Sequence, residues 1–198
     1  MSEGRWSAGF PDESEKLEYK SSIKMNLHTH QADPEIARAC LKTIAAFLNT
    51  EGGTLVIGVS DDKAVVGTQV DGFQSDDQYR LHVHGLIRGA LGQIADSKVK
   101  ISIEVIEEKN VCVVECKRSS EPVYLNYRKT NDEFYIRIGP SSLNMRTSDA
   151  HGYITDHFGS RTRLATLAAD ISGPPDFTAE ICEAAGIEEL DPNAISLF

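Results

Sequence analysis

Apolar residues recur at helical spacing from Ala37 through Cys40/Leu41 and Ile44 to Phe47/Leu48, the signature of a helix with one buried stripe. Asp33-Pro34-Glu35 stands at its start: an N-cap, a proline at the tolerated first position, and an acid at the positive end of the dipole. Asn49-Thr50-Glu51-Gly52-Gly53 stops it, with glycine available for a left-handed cap. Thr54–Val59 is apolar on both alternating faces, which suits a strand covered on both sides. Ser60-Asp61-Asp62-Lys63 reads as a turn, and Ala64–Gly67 as a short return strand.

A second helix is expected from about Asp76 to Ala95, with Tyr79, Val83, Leu86/Ile87, Ala90/Leu91 and Ile94 on one side. Val99, Ile101, Ile103 and Val105 alternate as in a strand, Glu107–Asn110 turns, and Val111–Cys116 returns as the partner of a hairpin. Glu133–Ile138 is another strand, closed by Gly139-Pro140, and a last helix is expected from Ser148 to near Phe158. Mixed strands and helices in this order predict an α+β fold, a mixed, mostly antiparallel sheet with helices packed on it.

Charge then divides the chain. Of 198 residues, 30 are Asp or Glu and 20 are Lys or Arg, a formal net charge of -10. The stretch from Ser160 to Phe198 has two basic residues against seven acidic ones, half the net charge, and contains the breaker Gly173-Pro174-Pro175. The expected organisation is a folded domain over 1–160 and an acidic appendage over 161–198, with Phe177–Ala185 as its better helix candidate. The chain has no apolar stretch long enough to cross a membrane and no apolar signal core at its start, so a cytoplasmic protein with no membrane partner is expected. Four scattered cysteines fit a reducing compartment. The global acidity argues against coating nucleic acid by bulk charge.

Several motifs could carry chemistry. If Leu17–Lys20 is extended, Leu17 and Tyr19 face the core while Glu18 and Lys20 face outward. A carboxylate and an ammonium two residues apart can hold a divalent metal and contact phosphate, or can simply be the solvated face of a strand. Glu13 reaches Glu18 only across a bend. Asp61 and Asp62 follow the most buried strand, where ligands often bind, although aspartates also serve turns. Gly53-x4-Gly58 lacks the lysine of a phosphate-binding loop. His28 and His30 lie in a loop, while His82 and His84 would point apart on a helix, so a zinc site is not expected. No nucleophile elbow is present.

Glu115–Arg146 is locally basic, with Lys117, Arg118, Arg128, Lys129, Arg137 and Arg146 interleaved with Tyr124, Tyr127, Phe134 and Tyr135. Cations for phosphates beside aromatic faces for unstacked bases are what single-stranded recognition needs. The other reading is core aromatics with arginines solvated outside.

ESEKLEYK (Glu13–Lys20), AFLNTEGGTLVIGVSDD (Ala46–Asp62), EPVY (Glu121–Tyr124) and FYIRIGPSS (Phe134–Ser142) together resemble the Schlafen-type Alba-like domain, also known as a divergent AAA domain. The resemblance covers about residues 12–158. It implies nucleic-acid binding and, in the enzymes of that family, a metal-dependent endoribonuclease acting on structured RNA such as tRNA. Carried over by motif, the three carboxylates would be Glu13, Glu18 and Asp61, with Asp62 as the alternative to Asp61 because Ser60 stands where the family has an acid. On this expectation Mg2+ or Mn2+ would sit on these carboxylates, with Lys20 neutralising phosphate. Lys117, Arg118, Tyr124, Arg128, Lys129, Arg137 and Arg146 would bind RNA, or single-stranded DNA. The family's two-lobed enzymes imply a homodimer for a single lobe. The alternative is a non-catalytic nucleic-acid-binding regulatory module.

Overall fold

In the computed structural model, the structure describes Trp6 and residues 9–129 and 131–170. Strand β1 (Leu17–Lys20) is followed by two short strands, β2 (Met25–Asn26) and β3 (Gln31–Ala32), paired antiparallel. Helix α1 (Pro34–Leu48) begins as the sequence predicts: Asp33 Oδ1 accepts from Glu35 N at 3.0 Å. Strand β4 (Gly53–Ile57) comes next, then α2 (Asp76–Leu91) and the short α3 (Gln93–Ser97). The single helix expected to Ala95 is broken at Gly92, whose φ of 91° no helix accommodates.

Strands β5 (Val99–Ile106) and β6 (Lys109–Cys116) form the expected hairpin. Its two turn residues, Glu107 and Glu108, are both left-handed, the geometry that matches strand twist. Strands β7 (Tyr135–Ile138) and β8 (Ser141–Asn144) make a second hairpin, and α4 spans Thr147–Asp170. The last helix therefore runs past its expected end near Phe158. The expected return strand at Ala64–Gly67 is reduced to one bridge, Val59 with Val65. Met1–Phe158 forms one compact unit. The expected helix Phe177–Ala185 and most of the acidic appendage lie outside the described residues.

The main sheet runs β1-β4-β6-β5, with β1 parallel to β4 and the other pairs antiparallel. The fold is thus α+β with a mostly antiparallel four-stranded sheet and several helices. Both faces of the sheet are covered. On one, Leu55, Ile57, Cys112 and Val114 pack with Leu41, Ile44 and Leu48 of α1 and Val83 and Ile87 of α2. On the other, Tyr19, Val56 and Val111 meet Trp6 and Phe10. The N-terminal arm thus crosses the sheet: Phe10 lies edge-on to Tyr19 on β1, and the Trp6 indole donates to Glu104 Oε2 on β5 at 3.0 Å.

The glycines of the NTEGG segment have a steric reason. Gly52 has φ +75°, and a Cβ there would lie 2.5 Å from the Cys116 carbonyl oxygen, too close for any side chain. The asparagine before them is fully buried. Asn49 Nδ2 donates to the carbonyls of Val123 (2.8 Å) and Tyr135 (2.9 Å), and its Oδ1 accepts from Val123 N at 2.8 Å. Tyr153 OH donates to its backbone oxygen at 2.9 Å. Asn49 at the end of α1 thus ties down the 121–125 segment and β7 through its side chain, and α4 through its backbone oxygen.

Candidate nucleic-acid interface and carboxylate cluster

Parallel pairing of β1 with β4 puts their C-terminal ends side by side, and Gly58 N donates to Lys20 O at 2.7 Å. The 60–63 turn leaves from that end, and Lys63 Nζ binds Asp12 of the arm. The arm folds back antiparallel along β1, with Ser14 N donating to Leu17 O at 2.9 Å. The bend this creates brings Glu13 to Tyr19, where Glu13 Oε1 accepts from Tyr19 N at 2.9 Å. Glu13 therefore satisfies an edge N–H of β1, beyond which no strand lies among the described residues.

Glu18 differs from its expected exposure. It faces the helix side and is buried, with its side chain 11 % exposed. Its Oε1 accepts from Lys20 Nζ at 2.6 Å, and Arg137 Nη1 lies 2.5 Å from Oε2 in an ion pair outside hydrogen-bond alignment. Lys20 also donates to Tyr19 O at 3.0 Å. Arg137, expected on a nucleic-acid surface, has a side chain only 1 % exposed. It donates to the Ser14 and Leu17 carbonyls and the Ser142 hydroxyl, and its guanidinium lies over the Phe47 ring at 5.0 Å. With its side chain almost fully enclosed and its N–H groups engaged by these partners, it fastens β7 to β1.

Asp61 is exposed in the turn after β4. Its neighbour Asp62 accepts from the Ser60 hydroxyl at 2.5 Å, and that bond holds the Asp62 carboxyl below its ordinary range. The fold thus gathers the segments bearing Glu13, Glu18, Lys20 and Asp61 at one sheet edge. A divalent ion needs anionic oxygens turned toward a common point. Glu18 is instead faced by two cations and Glu13 by an amide, and no three His, Cys, Asp or Glu side chains converge as a metal group among the described residues. As arranged, these residues do not fit Mg2+ or Mn2+.

The basic segment divides between two places. Lys117 and Arg118 are exposed at the end of β6; Arg118 pairs with Glu51 at 3.1 Å and donates to the His157 carbonyl on α4 at 3.2 Å. Tyr124 is 42 % exposed and rests on Phe134, whose ring contacts Tyr153, which in turn stacks on His157. Arg146, also exposed, precedes α4. Arg128 lies elsewhere: Asn126 N is bonded to Ala90 O of α2, and Arg128 sits over Tyr127 at 5.7 Å with φ 59°. The Lys129 side chain lies outside the described residues. Beside Arg118, a small cleft is lined by Lys16, Thr50, Glu51, Arg137, Tyr153 and His157.

Among the described residues, the two histidines of α2 point apart and the cysteines are buried. His82 lies against Phe73, while His84 Nδ1 is 2.6 Å from Asp96 Oδ1, so the two diverge as helical spacing requires. Burial pushes the Cys40 thiol up to about 12, and those of Cys112 and Cys116 up as well, far from thiolate reactivity. The most heavily used carboxylate in the fold escaped the sequence reading. Asp71 is buried and accepts from the Ser22 hydroxyl (2.5 Å), from the backbone N–H groups of Ile23, Lys24 and Met25, and from Tyr79 OH (3.0 Å). It holds the loop after β1, and its only sequence signal is an aspartate before Gly72.

Comparison with known proteins agrees with this architecture. The DIP2311 protein from Corynebacterium diphtheriae superposes with a TM-score of 0.51 at 18% identity, over 72% of this chain. The chain spans only 27% of that protein's length, so the likeness concerns the fold of one part of it. The N-terminal domain of a RecG-related protein from Nitrosomonas europaea is similar at 20% identity and a TM-score of 0.42, over 69% of this chain and 86% of that one. No curated protein matches the sequence. The family profile described as Schlafen, AlbA_2 matches residues 13–146, two thirds of the chain, which takes in the four-stranded sheet and the separate β7–β8 hairpin. The chain belongs to the Schlafen, AlbA_2 family.

Proposed function

We propose that this domain binds nucleic acid through the face formed by Lys117, Arg118, Tyr124 and Arg146, and that it takes single-stranded or looped RNA, tRNA among them, or single-stranded DNA. Family membership supports a nucleic-acid-related domain. The observation that carries the finer reading is Tyr124: an exposed ring, backed by Phe134 and Tyr153, on the α4 side where Arg118 also lies. A supported aromatic face takes an unstacked base and nearby guanidinium groups take its phosphates. The net charge of -10 sets this binding in the weak, salt-sensitive regime.

Fluorescence anisotropy with labelled tRNA and a single-stranded DNA of mixed sequence tests it. Tyr124→Ala is expected to weaken binding about tenfold with little change in salt dependence, and Arg118→Ala to weaken it while lowering the salt slope by nearly one ion. Equal affinity of wild type and Tyr124→Ala, or no binding of either ligand, overturns the proposal.

The second reading is a metal-dependent endoribonuclease using Glu13, Glu18 and Asp61. The family motif and the gathering of these segments at one edge favour it; the pairing of Glu18 with Arg137 and Lys20 weighs against it. Incubating pure protein with tRNA and Mn2+ separates the readings. Cleavage lost in both Glu18→Gln and Asp61→Asn supports the nuclease, whereas its absence from wild type that still binds tRNA leaves the binding module.

A further inference from the structure

Strand β5 is the far edge of the main sheet, and no described segment pairs with its outer side. It is eight residues long, without proline or bulge, whereas edges that must stay single are usually short, kinked or covered. Lys117 N donates to Lys98 O at 2.9 Å, which fixes the alternation of the antiparallel ladder. Even-numbered residues of β5 therefore bond to β6, and Val99, Ile101, Ile103 and Val105 direct their N–H and C=O groups outward. The side chains of those same four residues form an apolar row that the helices only partly cover, and Val105 is 71 % exposed.

We propose that β5 pairs antiparallel with β5 of a second copy of this chain, about a two-fold axis through Ser102. In this register Lys100 stands opposite Glu104 of the other copy, twice by symmetry. Ile101 faces Ile103, and Val99 faces Val105. The outward-directed residues fall in the hydrogen-bonded pairs. Lys100 and Glu104 fall in the non-hydrogen-bonded pairs, where side chains approach most closely. Both groups of that charge pair stand on β5 with at most loose engagement of charge: Lys100 is 76 % exposed and paired with Glu115 at the long distance of 3.8 Å, and Glu104 accepts a neutral indole N–H from Trp6. A slip that moves the axis to residue 100 or 104 would set Lys100 or Glu104 against its own copy, and an axis at Ile103 would leave both charges unmatched. The joined sheet has eight strands, and only the arm-lined β1 edges remain as its ends.

Sedimentation equilibrium of the full chain reads the association. The wild type is expected to be dimeric at micromolar concentration. Lys100→Glu and Glu104→Lys are each expected to raise the dissociation constant at least about tenfold, because two opposite-charge pairs become like-charge pairs. Mixing these two variants restores a dimer, since every cross-strand pair is again of opposite sign, and the double variant Lys100→Glu/Glu104→Lys dimerises alone. In a Cys182→Ser background, oxidised Ser102→Cys cross-links to itself because the two Cα atoms meet at the axis, whereas Lys100→Cys does not. Circular dichroism establishes that each variant is folded. A monomeric wild type, a dimer indifferent to both reversals, or cross-linking through position 100 instead of 102 overturns the proposal.

Discussion

Arg137 and Glu18 form an ion pair 2.5 Å apart with almost no access to solvent, joining the second hairpin to the first strand of the main sheet. A guanidinium placed there has no alternative partner in water, so the pair behaves as a unit. Removing Glu18 leaves Arg137 as an uncompensated buried charge, whereas removing Arg137 leaves Glu18 its Lys20 partner. Glu18→Ala is expected to destabilise the domain by about 3–5 kcal/mol. Glu18→Gln should cost less, because a carbonyl oxygen still faces Arg137. The combined Glu18→Gln/Arg137→Met variant should recover part of the loss, since neither charge then remains unpaired. Urea denaturation of wild type, Glu18→Gln, Arg137→Met and the combined variant completes a double-mutant cycle, and additive losses would show that the pair is not coupled.

The Asn49 clasp and the Gly52 turn stand three residues apart and act by different physics. Asn49→Ala strands the Val123 N–H and two carbonyls in the interior, at about 3 kcal/mol in total. Gly52→Ala must place a Cβ against the Cys116 oxygen at a left-handed φ, which is expected to cost about 2–3 kcal/mol. Both should shift the urea midpoint without altering its slope.

Two histidines set the acid side of stability. Burial, reinforced by Lys24 and opposed by Asp71, holds His82 below its ordinary range. Burial, reinforced by Arg118 and opposed by Glu51, does the same for His157. The folded state therefore binds fewer protons than the unfolded chain. The stabilisation is complete above the unfolded value of about 6.5 and is lost as the pH falls through the depressed folded values. Unfolding midpoints measured between pH 7.5 and 5 should decline, and His82→Gln should flatten the decline. A pH-independent midpoint would contradict the assignment.

Much of the fold was legible because its signals are local. Asp33-Pro34 and the stripe from Ala37 to Leu48 define α1 within one segment, and the alternation of β5 and β6 with a two-residue turn defines their hairpin. What escaped depends on distant chain. Arg137 sits in an alternating strand where arginine normally faces solvent; it is buried because Ser14 and Leu17, more than a hundred residues earlier, supply its acceptors. Glu18 is buried by the same contact. The motif located the carboxylates, but periodicity alone carried no sign that two cations already face one of them. Asp71 was missed for a similar reason: apart from Tyr79, its partners lie in the loop after β1, nearly fifty residues away.

The position of Asn49 also has a kinetic meaning. Its side-chain partners lie 74 and 86 residues downstream, and Tyr153 is 104 residues away. Such contacts close only after long loops have been ordered, so they belong to the late side of the folding barrier. Weakening them should leave the refolding rate nearly unchanged and accelerate unfolding. Asn49 therefore governs chiefly how long the native state lasts once formed, and much less how quickly it is reached.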